Sequence, residues 1–423
     1  MIRGAGGSVA GRVAVVGAGP AGARAAELLA AGGLEVLLFD PRAPWEKPCG
    51  GGIPAHAFAH FPELRGLADQ GRQVCRVRLI APSGAAVEIE LPEPLFLVDR
   101  ARLARYQLDR ALAAGARHLP HRVRGIGRRA EGFRLVDEEG REYDVACVIG
   151  ADGASSRVRR LLAPAFTPRQ TPTRGRFLPI DGADPTEILV RFPPGLHGYV
   201  WEFPRGETWS VGVCHLVKGE LARGELEAFL VGHLGDRDGS PGRREYGHPI
   251  PLLRAEDHEH PERFGGADWA LCGDAAGLVD PITGEGIHYA LYSGELAART
   301  LLRDGSLARY PARLAREVLS ELRLADRYAA GFYQPGFTDA LVDVCRRSPA
   351  FRRVVAEVMT GRLPYRSLRR RAPIALGCDA LRGRVGGAVF RLFRGLAAAA
   401  RAGYLPDVRG TDAVLSGSGR GGE

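Results

Sequence analysis

Apolar and polar positions change rhythm several times along the chain, and each rhythm predicts an element. In RVAVVGAGPAGARAAELLAAGGLEVLLFDPR (residues 12–42), Val13 to Val16 form a short apolar run of strand type. The Ala/Leu-rich stretch Ala21 to Ala31 favours a helix, which Gly32 and Gly33 end. LEVLLFD is an unbroken apolar run, suited to a parallel strand covered on both faces. The three pieces predict a βαβ unit. Residues 74–98 alternate as antiparallel strands turning at Pro82-Ser83-Gly84, and ARLARYQLDRALAAGA (101–116) is an amphipathic helix. FRLVDEEGREYDVACVIGADG (133–153) predicts a hairpin followed by a buried strand ending at Gly150. Strand-like pieces and prolines dominate from about 168 to 255, residues 268–302 return to strand, loop and long helix, and the pattern is helical from about 306. No internal repeat is present, and the last dozen residues have the composition of a flexible tail.

Composition narrows the class. A length of 423 residues accommodates about two domains. The hydrophobic fraction of 45% is ordinary for a globular protein, and no apolar run approaches the roughly 20 residues of a membrane span. The start of the chain lacks the apolar stretch of a signal peptide, so the expectation is a cytoplasmic protein. Cysteines at 49, 75, 147, 214, 272, 345 and 378 are scattered without a CxxC pair. That argues against a metal site or a disulfide framework and predicts mostly small buried hydrophobes. The net charge is +9, and residues 361–423 alone hold 12 Arg against 4 acidic residues. Within them VGGAVFRLFRGLAAAARAGYL (385–405) interleaves apolar residues with arginine. It fits peripheral contact with an anionic membrane, or a helix covering a substrate tunnel with its arginines outward. No aromatic-basic platform accompanies the charge, so no nucleic acid partner is expected.

The densest chemistry lies at Gly17-x-Gly19-x-x-Gly22, which closes a strand and opens a helix at Ala21. Gly17 permits the tight turn, Gly19 lets backbone approach a pyrophosphate, and Gly22 allows close packing of helix on strand. The helix N-terminus offers free N–H groups to phosphates. Asp40 ends the second strand, 18 residues past Gly22, placed for ribose hydroxyls. A bound dinucleotide follows. Two later motifs choose the kind: Gly150-Ala151-Asp152-Gly153 after a buried strand, and Gly273-Asp274 before the loop Thr283-Gly284-Glu285-Gly286-Ile287.

Together the three motifs resemble the aromatic-hydroxylase class of single-Rossmann flavoproteins, over residues from about 12 to 300. The resemblance implies an α/β fold: a discontinuous FAD-binding Rossmann domain (10–75, 99–165, 262–305) with an inserted β-sheet substrate domain (76–98, 166–261). A C-terminal helical region (306–410) and a tail (411–423) would follow. It implies that Asp274 contacts the FAD ribityl and pyrophosphate and that the Asp152-Gly153 turn supports that site. Arg100 would lie on the phosphate side, although Ala104 stands where many members carry Asp. By position, Val123 would meet the adenine through its backbone. The helix opening at Gly284, Gly286 and Ile287 would aim its dipole at the flavin. No second GxGxxG is present, so NAD(P)H would bind transiently, and a ferredoxin is the other donor.

Two further segments resemble the geranylgeranyl reductase family: Lys47-Pro48-Cys49-Gly50-Gly51 after the second strand, where Cys49, Gly50 and Gly51 would bind the cofactor with backbone laid along FAD near its isoalloxazine, and Tyr199-x-Trp201-x-Phe203-Pro204. That resemblance implies an FAD-dependent reductase of isolated C=C bonds in an isoprenoid chain on a lipid, quinone or pigment. Tyr199, Trp201 and Phe203 have strand spacing and point to one face, suited to an apolar chain or to a core. An unactivated alkene needs a proton as well as a hydride. Cys49, Tyr199 and His288 are the residues that offer one, besides water; Cys49 serves equally well as a small packing residue, and His288 as a packing or hydrogen-bonding one. The alternative is a flavin monooxygenase or halogenase on the same scaffold. Halogenases of this class carry Trp-x-Trp-x-Ile-Pro and an essential lysine, whereas lysine is nearly absent here.

Overall fold

The computed structural model describes residues 11–181, 185–217, 223–333 and 336–380. The apolar runs at both ends of the opening βαβ unit become adjacent parallel strands, Arg12–Val16 and Glu35–Phe39. Three more strands complete a five-stranded sheet in the order Trp269–Leu271, Cys147–Gly150, Arg12–Val16, Glu35–Phe39, Arg117–Leu119, every pair parallel. The interior strands are almost wholly buried, as continuous apolar runs require when helices cover a sheet. Two helices cover it together: Pro20–Ala31 from the glycine loop and Ile287–Asp304 from the far end of the sequence. They touch backbone to backbone, since a Cβ on Gly294 would lie 2.1 Å from the Ala21 carbonyl oxygen. Arg24 locks them with ion pairs to Glu295 (2.6 Å), Glu63 (2.9 Å) and Glu27 (3.1 Å) in a half-dry setting.

The second sheet has eight strands, in the order Arg244–Tyr246, Thr173–Pro179, Thr208–His215, Gly198–Arg205, Glu187–Arg191, Arg72–Ile80, Ala86–Leu97, Gly52–Ile53. Its pairs are antiparallel except Glu187–Arg191 with Arg72–Ile80. Alternation in Gly198–Arg205 sends Val200 into a core with Leu226, Leu230 and Leu234 of helix Arg223–Leu234. Tyr199, Trp201 and Phe203 therefore take the other face. The edge strand Gly52–Ile53 comes from the segment expected in the Rossmann part, so the turn at Cys49 is where the chain passes from one sheet to the other. A two-residue strand gives no periodicity to detect. The expected hairpin gains a third strand, Val123–Arg128, whose Gly- and Arg-rich sequence hides it.

From Tyr310 the described chain is helical: Tyr310–Leu314, a π turn at Ala315–Leu319, Ser320–Phe332, Phe337–Arg347, Pro349–Met359 and Tyr365–Ala380. Leu341, Val344, Phe351 and Val354 of these helices share a core with Val77, Leu79 and Leu95 of the large sheet. Each such side chain, fully buried, contributes about 1.5–3 kcal/mol. No helix among the described residues is long and apolar enough to cross a membrane. The basic stretch 385–405 and the tail 411–423 lie outside the described residues.

Candidate active site

The glycine loop leaves its strand with Gly17 at φ 101°, where a Cβ would lie 2.3 Å from the Ala151 carbonyl oxygen. Gly19 faces open space, with nothing within 4 Å of its Cβ position. The helix behind it has no side-chain cap and no acid in its first turn, so its amide groups and positive dipole end are free for an anion. Asp40 holds this loop rather than standing apart from it. Its carboxylate accepts from Ala18 N (2.9 Å), Arg42 N (2.9 Å) and Ala43 N (3.2 Å). A carboxylate has about four acceptor sites, so a further hydroxyl can still be bound. Asp152 accepts from Ser156 Oγ (2.5 Å), Arg157 N (2.5 Å) and Val158 N (3.1 Å), and so caps the helix Arg157–Leu162. Ala21, Val123 and Gly153 line the same space.

Arg100 is 6% exposed, and its Nε has no hydrogen-bond partner. Seven residues on, on the same face of helix Arg100–Ala113, the buried Gln107 has an unpartnered Oε1. Both residues line the cavity, as does Ala104 between them. Buried polar atoms without partners are costly, and their natural complement here is a polar ligand. With the uncapped helix and the open Gly19, these orphaned atoms fit a dinucleotide such as FAD.

The turn at Lys47–Gly52 joins this end to the next. Lys47 Nζ donates to Asp274 Oδ2. Burial raises the Asp274 carboxyl, but the charges of Lys47, His248 and Arg100 outweigh it and hold the group below its ordinary value. Cys49 Sγ accepts from Gly51 N (3.3 Å). Burial pushes its thiol up, while Arg100, the Gly51 amide and Lys47 pull it further down, toward the thiolate. Cys49, Gly50 and Gly51 all line the cavity, and the two glycines also answer to the protein's own packing. A Cβ on Gly50 would lie 2.6 Å from the Phe203 ring, and Gly51 (φ 75°) would place one 2.3 Å from the Val98 carbonyl oxygen. Sequence reasoning missed Glu46 and Arg205 beneath this turn. Arg205, 1% exposed, pairs with Glu46 (2.7 Å), which also accepts from Ala101 N (2.9 Å) at the start of the Arg100 helix. An arginine inside a strand as apolar as Gly198–Arg205 was the available signal.

Tyr199, Trp201 and Phe203 all line the cavity. Tyr199 Oη donates to the Thr283 carbonyl (2.5 Å) and leaves no room for a Cβ on Gly284, which would lie 2.8 Å away. Trp201 Nε1 donates to Ser210 Oγ (3.2 Å), which in turn meets Tyr246 Oη (2.8 Å). The aromatic wall is thereby fixed against the loop 280–286. Asp280, also missed, organises that loop: its carboxylate accepts from Ile282 N (2.8 Å), Thr283 N (3.0 Å) and Tyr365 Oη (2.9 Å). Gly273, Gly284, Gly286 and Ile287 line the cavity at the start of helix Ile287–Asp304, whose N-cap Gly286 supplies no side chain.

His288 reaches the cavity wall inside an aromatic cluster, with ring centroids 4.1 Å from His56, 5.8 Å from His60 and 5.7 Å from Phe61. Burial, then the two neighbouring histidines, push its pKa down to about 2. With its ring packed among these neighbours, it is a neutral imidazole in the working pH range. Of the cysteines, 147, 214, 272 and 345 are buried, Cys49 is half-buried and Cys75 is exposed.

All these parts open on one cavity of about 2330 Å³. Ligand pockets usually measure about 300–1,000 Å³. The extra space is an apolar arm beyond the aromatic wall, between the large sheet (Leu79, Leu95) and the C-terminal helices (Phe337, Leu341, Phe351, Met359). The chemistry on offer is polar and phosphate-binding at one end and chain-binding at the other.

Comparison with known proteins agrees. A family described as pyridine nucleotide-disulphide oxidoreductase matches residues 11–171. Chloroplastic geranylgeranyl diphosphate reductase of Oryza sativa subsp. japonica is 32% identical over 385 residues, covering 82% of this chain and 78% of that protein. Menaquinone reductase of Mycobacterium tuberculosis is 32% identical over 378 residues, covering 82% and 90%. A geranylgeranyl bacteriochlorophyll reductase-like protein from Thermoplasma acidophilum has the same fold, with TM-score 0.69 at 20% identity over 86% of this chain and 97% of that one. A flavin-dependent brominase and a flavin-dependent halogenase share the scaffold, with TM-scores 0.64 and 0.60 at 18% and 19% identity. The chain belongs to the geranylgeranyl reductase family of FAD-dependent oxidoreductases.

Proposed function

We propose that the protein saturates isolated C=C bonds of an isoprenoid chain carried by a lipid, quinone or pigment. The observation that carries this reading is the single cavity joining the glycine loop and Arg100 to an apolar arm past Tyr199, Trp201 and Phe203. Bound and reduced, FAD supplies a hydride equivalent to an alkene carbon. The residues of the chain do the rest. The glycine loop, Arg100 and Gln107 take the dinucleotide's phosphate side, while Asp40 takes a ribose hydroxyl. Asp274, held ionised by Lys47, and the amide groups at Gly286 and Ile287 take the part nearest the ring. The aromatic wall and the arm receive the chain and exclude water from the reacting carbons. The five-stranded sheet with its two helices is thus the cofactor part, and the eight-stranded sheet with the C-terminal helices the substrate part. NAD(P)H or a ferredoxin-type protein recharges the flavin. The basic C-terminal stretch brings the enzyme to a membrane surface where such chains reside.

The halogenase alternative rests on scaffold alone, and Lys47, the only lysine among the described residues, is engaged by Asp274. The test is anaerobic. Chemically reduced enzyme mixed with a geranylgeranyl compound should reoxidise its flavin without oxygen. Reoxidation only on admitting air, chain present or not, would refute the proposal.

A further inference from the structure

Alkene reduction leaves one carbon in need of a proton, and the candidates offered by the sequence do not supply it well. The Tyr199 hydroxyl is committed to the Thr283 carbonyl and its pKa lies well above 10. His288 is neutral, and Cys49 Sγ already accepts from the Gly51 amide (3.3 Å). The described residues bring a different acid to the same place.

Resting on the reading above, we propose that Glu285 is the proton donor to the alkene. It sits between Gly284, which lies under the Tyr199 hydroxyl, and Gly286, the N-cap of helix Ile287–Asp304. The residue is half-buried and its exposed part lines the cavity. One oxygen, Oε1, accepts from His288 N (2.7 Å) and so fixes the side chain on the helix end. The Ile287 amide also hydrogen-bonds to the carboxyl, and no ion pair to it forms among the described residues. The charged groups around it are acidic: Asp280 from the preceding loop, held by Tyr365 of the last described helix, and Asp274 from the turn after strand Trp269–Leu271. Its own helix presents only Tyr289 and the neutral His288. Burial comes first, then Asp280 and Asp274, against the amide groups of His288 and Ile287, and the carboxyl is pushed up to about 8. It is therefore a neutral acid at pH 7, the state a donor needs.

The step balances. The Glu285 O–H breaks as a C–H forms on one alkene carbon. The other carbon receives the hydride equivalent of the reduced flavin. The C=C bond gains two electrons and two hydrogens, the flavin is oxidised by two electrons, and Glu285 is left as a carboxylate that solvent reprotonates.

Glu285→Gln keeps the acceptor for His288 N and removes the acidic proton. In anaerobic single turnover, the Gln variant should reduce the chain about 10²–10⁴-fold more slowly than the parent, and Glu285→Asp should recover part of that rate. Independently of turnover, infrared difference spectra of parent minus Gln variant should show a carboxylic acid band that titrates away near pH 8. In the unaltered protein, the rate should fall as pH rises through the same value, a readout that stands even where the Gln variant fails to hold flavin. A Gln variant at parental rate, a missing band, or a rate flat from mildly acidic to mildly alkaline pH overturns the role of Glu285. A parent protein that leaves the chain unreduced overturns the underlying reading instead.

Discussion

At the scale of single residues, burial sets the protonation of the site. His248 and His258 are pushed down to about 4 and His288 to about 2, each chiefly by loss of solvent. An unfolded histidine titrates near 6.5, so between pH 6.5 and about 4 the unfolded chain binds more protons than the folded one. Stability from these three groups is complete above pH 6.5 and is lost as pH falls through that window. Urea midpoints measured across it should decline steadily on acidification, and a constant midpoint would contradict the assignment. Glu285 has the opposite sign. Its pKa rises from 4.5 to about 8, so the stability it contributes is complete below pH 4.5 and gone above about 8. The residues legible in the sequence were those with a local signature, such as Gly17, whose turn has φ 101°. Lys47 and Asp274 stand 227 residues apart, and no pattern announces that they pair. Glu285 reads as the middle letter of a glycine-flanked loop. Its raised pKa arises only in the fold, from burial beside Asp280 and Asp274.

At the scale of elements, the βαβ start, the strand ending at Gly150 and the long helix after the loop could be read ahead because continuous apolar runs and helical periodicity survive any tertiary setting. The strand Gly52–Ile53 and the strand Val123–Arg128 could not, one being too short and the other too polar. The C-terminal helices were legible as helices, but a tunnel-covering role was legible only for residues 385–405, outside the described residues, since an apolar helix face does not name its partner. The apolar arm that the described helices line makes a prediction. Met359 is half-buried and lines the apolar arm, so Met359→Trp adds its bulk to the arm rather than to packed core. The variant should lower kcat/KM for a geranylgeranyl chain by roughly 10–200-fold, the range a pocket gains or loses for small changes in chain fit. A short prenyl compound should be reduced as before. Competition between long and short chains under identical conditions checks this, and equal losses on both would show that the arm does not hold the chain.

At the scale of the whole molecule, the chain first passes between the two sheets at the turn Lys47 to Gly52, and the cavity runs along that turn. The helices packed on the five-stranded sheet, Pro20–Ala31 and Arg100–Ala113, present free amide groups and the unpartnered Arg100 and Gln107 atoms, while the eight-stranded sheet presents aromatic and aliphatic side chains to the cavity. Cys49, Tyr199 and Glu285 all line that cavity, and under the proposed function the ends of a dinucleotide and an apolar chain would meet there. The central claim is that the reaction at this meeting point adds hydrogen to carbon. The most direct measurement is mass spectrometry of an isoprenoid compound after anaerobic incubation with the flavin-loaded enzyme and an excess of reductant. The account predicts product masses that rise in steps of two hydrogens with no oxygen or halogen gained. An unchanged chain, or a product heavier by oxygen once air is admitted, would contradict it.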